Sequence, residues 1–166
     1  MLLFAYAGNM DVRKFSEAVP SAKRMGIARL PGFSFTFNKT ADDESSKANI
    51  IPSDDAGDTV WGVLIEFNEQ EKSKFYNPVT WSMDLKLETI NCIADNGEIY
   101  QAEAFFAQPH AVNNHILPYD WYHKKIVQLA EDAGLPTEYI NKISLMPCKI
   151  DPDEKRRARR FKRLRA

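Results

Sequence analysis

From the N-terminus to about residue 107 the chain is dominated by apolar–polar alternation of period two, and helical periodicity becomes prominent only afterwards. Side chains change face at every strand residue but recur every 3.6 residues on a helix, so this order predicts a sheet followed by covering helices. The run Thr59-Val60-Trp61-Gly62-Val63-Leu64-Ile65-Glu66-Phe67 is the most strongly β-forming, and the turn Asp54-Asp55-Ala56-Gly57-Asp58 leads into it. Val79 to Ile90 alternates, Asp95-Asn96-Gly97 supplies the positive φ of a hairpin turn, and Glu98 to Ala107 returns as its partner. Gly26 to Phe37 alternates with a break at Pro31-Gly32, giving two strands or one bulged strand. Ala48 to Pro52 is extended again, and the charged stretch Lys39 to Lys47 between them reads as a mobile surface loop. The expected fold class is α+β, a small mixed β-barrel with flanking helices.

The helical segments are marked by their ends. Asp11 to Ala18 suits a short helix or turn stopped by Pro20, and Asn68 to Tyr76 suits one capped by Asn68, with Glu71 as capping-box partner and Asn77-Pro78 as its stop. Tyr119 to Asp132 places Trp121, Ile126, Leu129 and Ala130 on one face, with Gly134 as the residue after the helix and Pro136 beyond. A shorter helix over Thr137 to Ile143 follows.

A chain of 166 residues, 44% hydrophobic and 27% charged, is long enough for one real core. No apolar run approaches the ~18 residues of a membrane span and no basic leader precedes the first strand, so a soluble, cytoplasmic protein without a membrane span is expected. Cys92 and Cys148 lack any CxxC spacing, and His110, His115 and His123 lack the i, i+4 pairing of a zinc site; reduced thiols and structural or surface histidines are the simpler readings. Trp61, Trp81 and Trp121 are read as core residues. Charge is divided unevenly. Residues 151–166 hold eight Lys/Arg against three Asp/Glu, while the rest of the chain holds 14 against 20. The chain is therefore divided into a domain over 1–148 and a basic C-terminal tail over 149–166. The tail is a disordered solubilising end, a segment folded back on the acidic body, or a helix with Ala158, Phe161 and Leu164 on one stripe that meets an anionic partner.

Function points first to Leu3-Phe4-Ala5-Tyr6-Ala7-Gly8-Asn9-Met10, a strand that runs into a small, turn-prone loop. Such a turn leaves backbone N–H groups free, and free amides receive anions. The loop has neither the Lys-Ser/Thr of a P-loop nor the three glycines of a dinucleotide fingerprint, which sets nucleotides aside.

Four segments in this order resemble the gamma-glutamylcyclotransferase family, which includes the AIG2-like proteins. The family's Tyr-Gly-Ser-Asn-Leu/Met loop is matched by Tyr6-Ala7-Gly8-Asn9-Met10, and its Ala-Asn-Ile segment by Ala48-Asn49-Ile50. Its Val-x-Gly-Val strand is matched by Val60-Trp61-Gly62-Val63, and its late Pro-x-x-x-Tyr and Gly-Leu-Pro-x-x-Tyr words by Pro118 to Tyr122 and Gly134 to Tyr139. The resemblance implies cofactor-free release of 5-oxoproline and a free amine from a γ-glutamyl amine or related amide, with no metal. In that reaction the substrate's α-amine attacks its own γ-carbonyl, and one carboxylate serves as base and then as acid. It also implies that Tyr6, Ala7, Gly8, Asn9 and Met10 grip the ligand.

The position of the catalytic glutamate is where this chain departs from the family. Counted without gaps from Gly62, it falls on Val79, which carries no proton. With a deletion of seven or eight residues, Phe67-Asn68-Glu69-Gln70-Glu71-Lys72 lies on the family's Leu-Asp-x-x-Glu-Gly motif, making Glu71 the catalytic residue and Tyr76 a substrate-binding one. Lys72 and Lys74 would then depress the Glu71 pKa. The loop also loses the family's serine hydroxyl at Ala7-Gly8, and a family tyrosine becomes Phe105 or Phe106. Two functions stay open: a cyclotransferase using Glu71, or a non-catalytic member that binds a small amino-acid-like ligand or a protein partner.

Overall fold

The computed structural model describes residues 1–77 and 84–165. Its strands are β1 (Leu2–Ala5), β2 (Lys23–Pro31), β3 (Phe33–Thr40), β4 (Ser46–Pro52), β5 (Thr59–Glu66), β6 (Leu85–Ala94) and β7 (Ile99–Ala107). Its α-helices are α1 (Val12–Ala18), α2 (Asp120–Ala133), α3 (Thr137–Ser144) and α4 (Glu154–Arg165).

Five strands close a barrel in the order β1-β5-β2-β6-β7, and β3 and β4 form a separate hairpin against it. The barrel is mixed because β1 and β7 run parallel, with Leu3 opposite Glu103, while the other pairings are antiparallel. Closure removes the open sheet edges that would otherwise template aggregation. Phe4, Leu30, Val60, Leu64, Cys92 and Ala104 are among the fully buried residues of the core. Gly62 is required by space. A Cβ there would overlap the carbonyl oxygen of Ala5 on the adjoining strand and lie 3.1 Å from Phe4 Cζ.

The turn chemistry follows the sequence. Gly32 (φ 78°) separates β2 from β3, Gly97 (φ 84°) turns the β6–β7 hairpin, and left-handed Gly134 closes α2. Asp11 caps α1 by accepting from the Lys14 amide at 3.2 Å. Of the stripe expected on α2, Trp121, Ile126 and Ala130 are buried and Leu129 is half-buried.

Two expectations are corrected. The surface loop expected over Lys39 to Lys47 shortens to the turn of residues 41–45: β3 runs to Thr40, β4 begins at Ser46, and although Asp42 and Glu44 are exposed, Ser45 and Ser46 are fully buried. Asp43 holds this hairpin turn by accepting from Ser45 Oγ (2.5 Å) and Lys47 Nζ (3.1 Å), and its carbonyl accepts from Tyr119 Oη at 2.6 Å. The segment after Asn68 is a 3-10 helix over Glu69–Lys74, and no Asn68 side chain caps it. Ser21 Oγ accepts from the Asn68 amide at 2.9 Å, the bond that Glu71 would make in a capping box. Val79 and Trp81, with the start of the alternation expected over Val79 to Ile90, lie outside the described residues.

The basic segment folds back as α4. Arg156 forks onto both oxygens of buried Asp151 (2.6 Å each), Trp121 Nε1 donates to the same carboxylate at 2.8 Å, and Arg157 Nε meets Asp120 at 2.7 Å. Its inward stripe is therefore arginine-bearing, with Phe161 and Leu164 half-buried and Ala158 exposed.

Candidate functional site

The chain leaving β1 makes one turn of 3-10 helix, Gly8–Met10, whose first amides have no partner within the helix and receive no side-chain cap. This turn roofs a cavity of about 360 Å³. One side is Leu3 to Asn9, the opposite side is Lys39, Lys47 and Ala48 of the β3–β4 hairpin, and Phe75, Leu85, Phe105 and Tyr122 complete it.

The two lysines are the cavity's charge. They face each other as a cross-strand pair, Lys39 opposite Lys47. Like charges in that position destabilise a sheet, so each needs compensation. Lys39 has Asp84 at 3.7 Å and Lys47 has Asp43 at 3.1 Å, both carboxylates lying outside the cavity lining. Burial lowers the Lys47 pKa, and the hydrogen bond that its ammonium donates to Asp43 works against that shift. Its ammonium also lies 4.8 and 4.7 Å from the ring centres of Trp121 and Tyr122, where the aromatic faces attract a cation.

The tyrosines of the wall are structural in their polar groups. Tyr6 Oη donates to the Phe105 carbonyl at 2.7 Å, and burial raises its pKa far above the usual phenol value. Tyr122 Oη accepts from the Ala48 amide at 3.2 Å, and burial pushes its pKa up to about 12. Both stay neutral. Behind the lysines a buried amide cluster fixes the hairpin. Asn49 Nδ2 donates to Asn38 Oδ1 at 2.9 Å, and Asn49 Oδ1 accepts from the Ala107 amide at 3.0 Å.

The expected site residues separate into three groups. Tyr6, Ala7, Gly8 and Asn9 line the cavity; Met10 is buried on the other side of the turn, beside α1 and α2. Tyr76 lies outside the lining, packed on Phe105 at 5.8 Å between ring centres. Glu71 is also outside it: its carboxylate accepts from the Ser21 amide at 3.0 Å, from Ser21 Oγ, and from Lys74 Nζ at 2.7 Å. Lys74 and then Ser21 hold the Glu71 pKa down at about 2. No Asp or Glu lines the cavity among the described residues, and the sequence of residues 78–83 contains neither.

Lys39, Lys47, Leu85 and Tyr122 were not anticipated from the sequence. The usable signal is the hairpin itself: once Phe33 to Thr40 and Ser46 to Pro52 are paired, the two lysines fall opposite one another. Phe105, one of the two positions expected to replace a family tyrosine, lines the cavity, while Phe106 packs on Phe33 at 5.8 Å.

Several solved structures share this architecture. A gamma-glutamyl cyclotransferase superimposes over 97% of this chain and 98% of its own, with a TM-score of 0.78 and 23% identity. An uncharacterized protein from Homo sapiens follows at 0.75 and 23%, over 93% of this chain and 95% of its own. YkqA from Bacillus subtilis gives 0.72 and 22%, over 90% of this chain but 56% of its own length. No family model matches the chain, and no curated protein sequence does. The likeness establishes the fold, a closed mixed barrel with flanking helices of the gamma-glutamyl cyclotransferase type. Among the described residues no helix is long and apolar enough to cross a membrane.

Proposed function

We propose that this chain binds a small amino-acid-like ligand through its carboxylate, in the cavity between Tyr6–Asn9 and the β3–β4 hairpin, without turning it over. The observation that carries the reading is the cross-strand pair Lys39 and Lys47, two cationic side chains lining one small cavity opposite uncapped backbone amides. An anion there interacts with both ammonium groups and relieves their mutual repulsion. The remaining wall, Leu3, Phe75, Leu85 and Phe105, is apolar and suits the methylenes of a glutamyl-type chain.

Turnover by cyclisation needs a base that takes a proton from the substrate's α-ammonium. Among the described residues no carboxylate is on the cavity wall, and the family candidate, Glu71, is engaged by Ser21 and Lys74 with its pKa at about 2. A carboxylate that acidic is a poor proton acceptor near neutral pH. Calorimetric titration with L-glutamate and a panel of γ-glutamyl amides tests the reading. Saturable binding that falls by about tenfold or more in Lys39→Gln/Lys47→Gln supports it, since a lost charge-assisted hydrogen bond is worth that much. Binding that is unchanged in the double variant, or absent across the panel, overturns it.

A second reading has its own support. The turn carrying Glu71 runs into Phe75, a wall residue, and the fold is shared with a gamma-glutamyl cyclotransferase over nearly the whole chain. In that reading Glu71 leaves Ser21 when substrate enters and shuttles the proton, with Tyr6 to Met10 and Tyr76 around the substrate. Release of 5-oxoproline from a γ-glutamyl amide, lost in Glu71→Gln, would establish it over the first.

A further inference from the structure

A second cleft lies on the far side of Trp121, where α1, α2 and α4 meet. It measures about 380 Å³ and draws Lys14 from α1, Lys125 from α2, and Arg160 and Arg163 from α4. Two carboxylates, Asp11 and Asp132, share its wall. Neither neutralises the cations: among the described residues, none of these four basic side chains forms an ion pair.

The contrast within α4 makes this informative. Arg156, Arg160 and Arg163 sit at i, i+4 and i+7, on one face of the helix. Arg156 is neutralised by buried Asp151, whereas Arg160 and Arg163 continue the stripe into the cleft with no carboxylate within ion-pair distance among the described residues, although Asp11 and Asp132 line the same cleft. The Arg160 guanidinium lies 4.8 Å over the Trp121 ring, and its Nε is fully buried with no hydrogen-bond partner. Lys125 is half-buried beside Lys14 and Arg160; burial first, then those like charges, lower its pKa, and the Asp11 carboxylate works against the shift. Packing four cations around one concavity is tolerable when a ligand supplies the negative charge.

We infer that this cleft is an anion site distinct from the cavity beneath Tyr6, and that it takes a small ligand bearing two or more phosphate groups. Arginine forks match phosphate oxygens bidentately, and a diphosphate answers the excess of the four cations Lys14, Lys125, Arg160 and Arg163 over the two carboxylates Asp11 and Asp132. Lys14 and Arg163 are exposed at the rim while Lys125 and Arg160 are half-buried, so the cations converge on one concavity and suit a small molecule better than an extended nucleic-acid backbone. A surface for a polymer would be spread over the outer face of α4, where Lys155, Arg159 and Lys162 are exposed.

Calorimetric titration of the full chain with inorganic pyrophosphate, at constant ionic strength, tests this. One saturable site is expected, weakened about tenfold or more by Lys125→Gln and by Arg160→Gln, as expected for loss of a charge-assisted contact. Arg163→Gln, which leaves the Trp121 stacking intact, weakens it in the same direction and guards against misfolding of the Arg160 variant. Lys155→Gln/Arg159→Gln on the exposed face leaves affinity within about twofold, because surface charges are screened. Absence of saturable pyrophosphate binding overturns the inference, as does equal weakening by the cleft and exposed-face variants. Binding of a single-stranded oligonucleotide without binding of pyrophosphate overturns it as well.

Discussion

Asn49→Leu is the substitution from which most can be learned, because one side chain joins the ligand-cavity hairpin to the barrel. Asn49 is 2% exposed, and its two hydrogen bonds end on groups that are themselves buried: Asn38 Oδ1 and the Ala107 amide. Leucine fills a similar volume, so cavity formation is minor and the cost is that of two orphaned polar groups. Each costs ~1–3 kcal/mol when left without a partner, giving about 2–6 kcal/mol in all. For a domain of this size each kcal/mol lowers Tm by ~2–4 °C, so a fall on the order of 5–20 °C is expected by differential scanning calorimetry. A double-mutant cycle sharpens the test. Asn38→Leu removes the orphaned Oδ1 and frees only the exposed Asn114 as its other partner. The double variant should then be less destabilised than the sum of the singles by about 1 kcal/mol or more, as neighbours in one network are not additive. A Tm change below about 2 °C in Asn49→Leu, or strict additivity in the cycle, would refute the claim that this cluster holds the hairpin.

Gly62→Ala should lower stability by about 3 kcal/mol, the upper range for overpacking, because the obstructing atoms belong to the Ala5 backbone and cannot rotate away; a wild-type urea midpoint would contradict this. Acid should destabilise the fold with a defined sign. Asp43, Glu71 and Asp151 all have carboxyl pKa values held below their unfolded values, so the unfolded chain binds more protons, and their contribution is present above pH ~4.5 and lost as pH falls through the native values. Circular dichroism midpoints should thus fall steeply between pH ~4.5 and ~2, with Asp151→Asn less acid-sensitive and its α4 more readily removed by protease at neutral pH. Equal protease resistance in the variant would count against docking of α4 through Asp151. Lys39→Gln should leave Tm within about 1 kcal/mol equivalent of the parent, or raise it, since it removes a like-charge pair; a large loss of stability would mean that the pair is structural.

Much of the barrel was legible in the chain. Period-two alternation located the strands, Gly32, Gly97 and Gly134 took the positive φ that their turns and cap require, and the stretch from Thr59 to Phe67 became the strand that pairs with both β1 and β2. The Lys39 to Lys47 segment was misjudged because its charges suggest solvent, whereas its burial comes from partners remote in sequence, Tyr119 and Tyr122 on the α2 side. Glu71 was judged from motif spacing alone. Of its two partners, Lys74 is three residues away and was legible, whereas Ser21 lies fifty residues away and leaves no local trace.

By itself, then, the sequence determined the elements, their turns and the glycines that let the chain turn at Gly97 and pack at Gly62, since these depend on backbone sterics and nearest neighbours. Only tertiary structure decided which charges meet: Lys39 opposite Lys47 over one cavity, Arg160 beside Lys125 in another, and Glu71 withdrawn onto Ser21. Electrostatic environment depends on groups brought together by barrel closure and helix docking, and that proximity is not encoded at any fixed spacing along the chain.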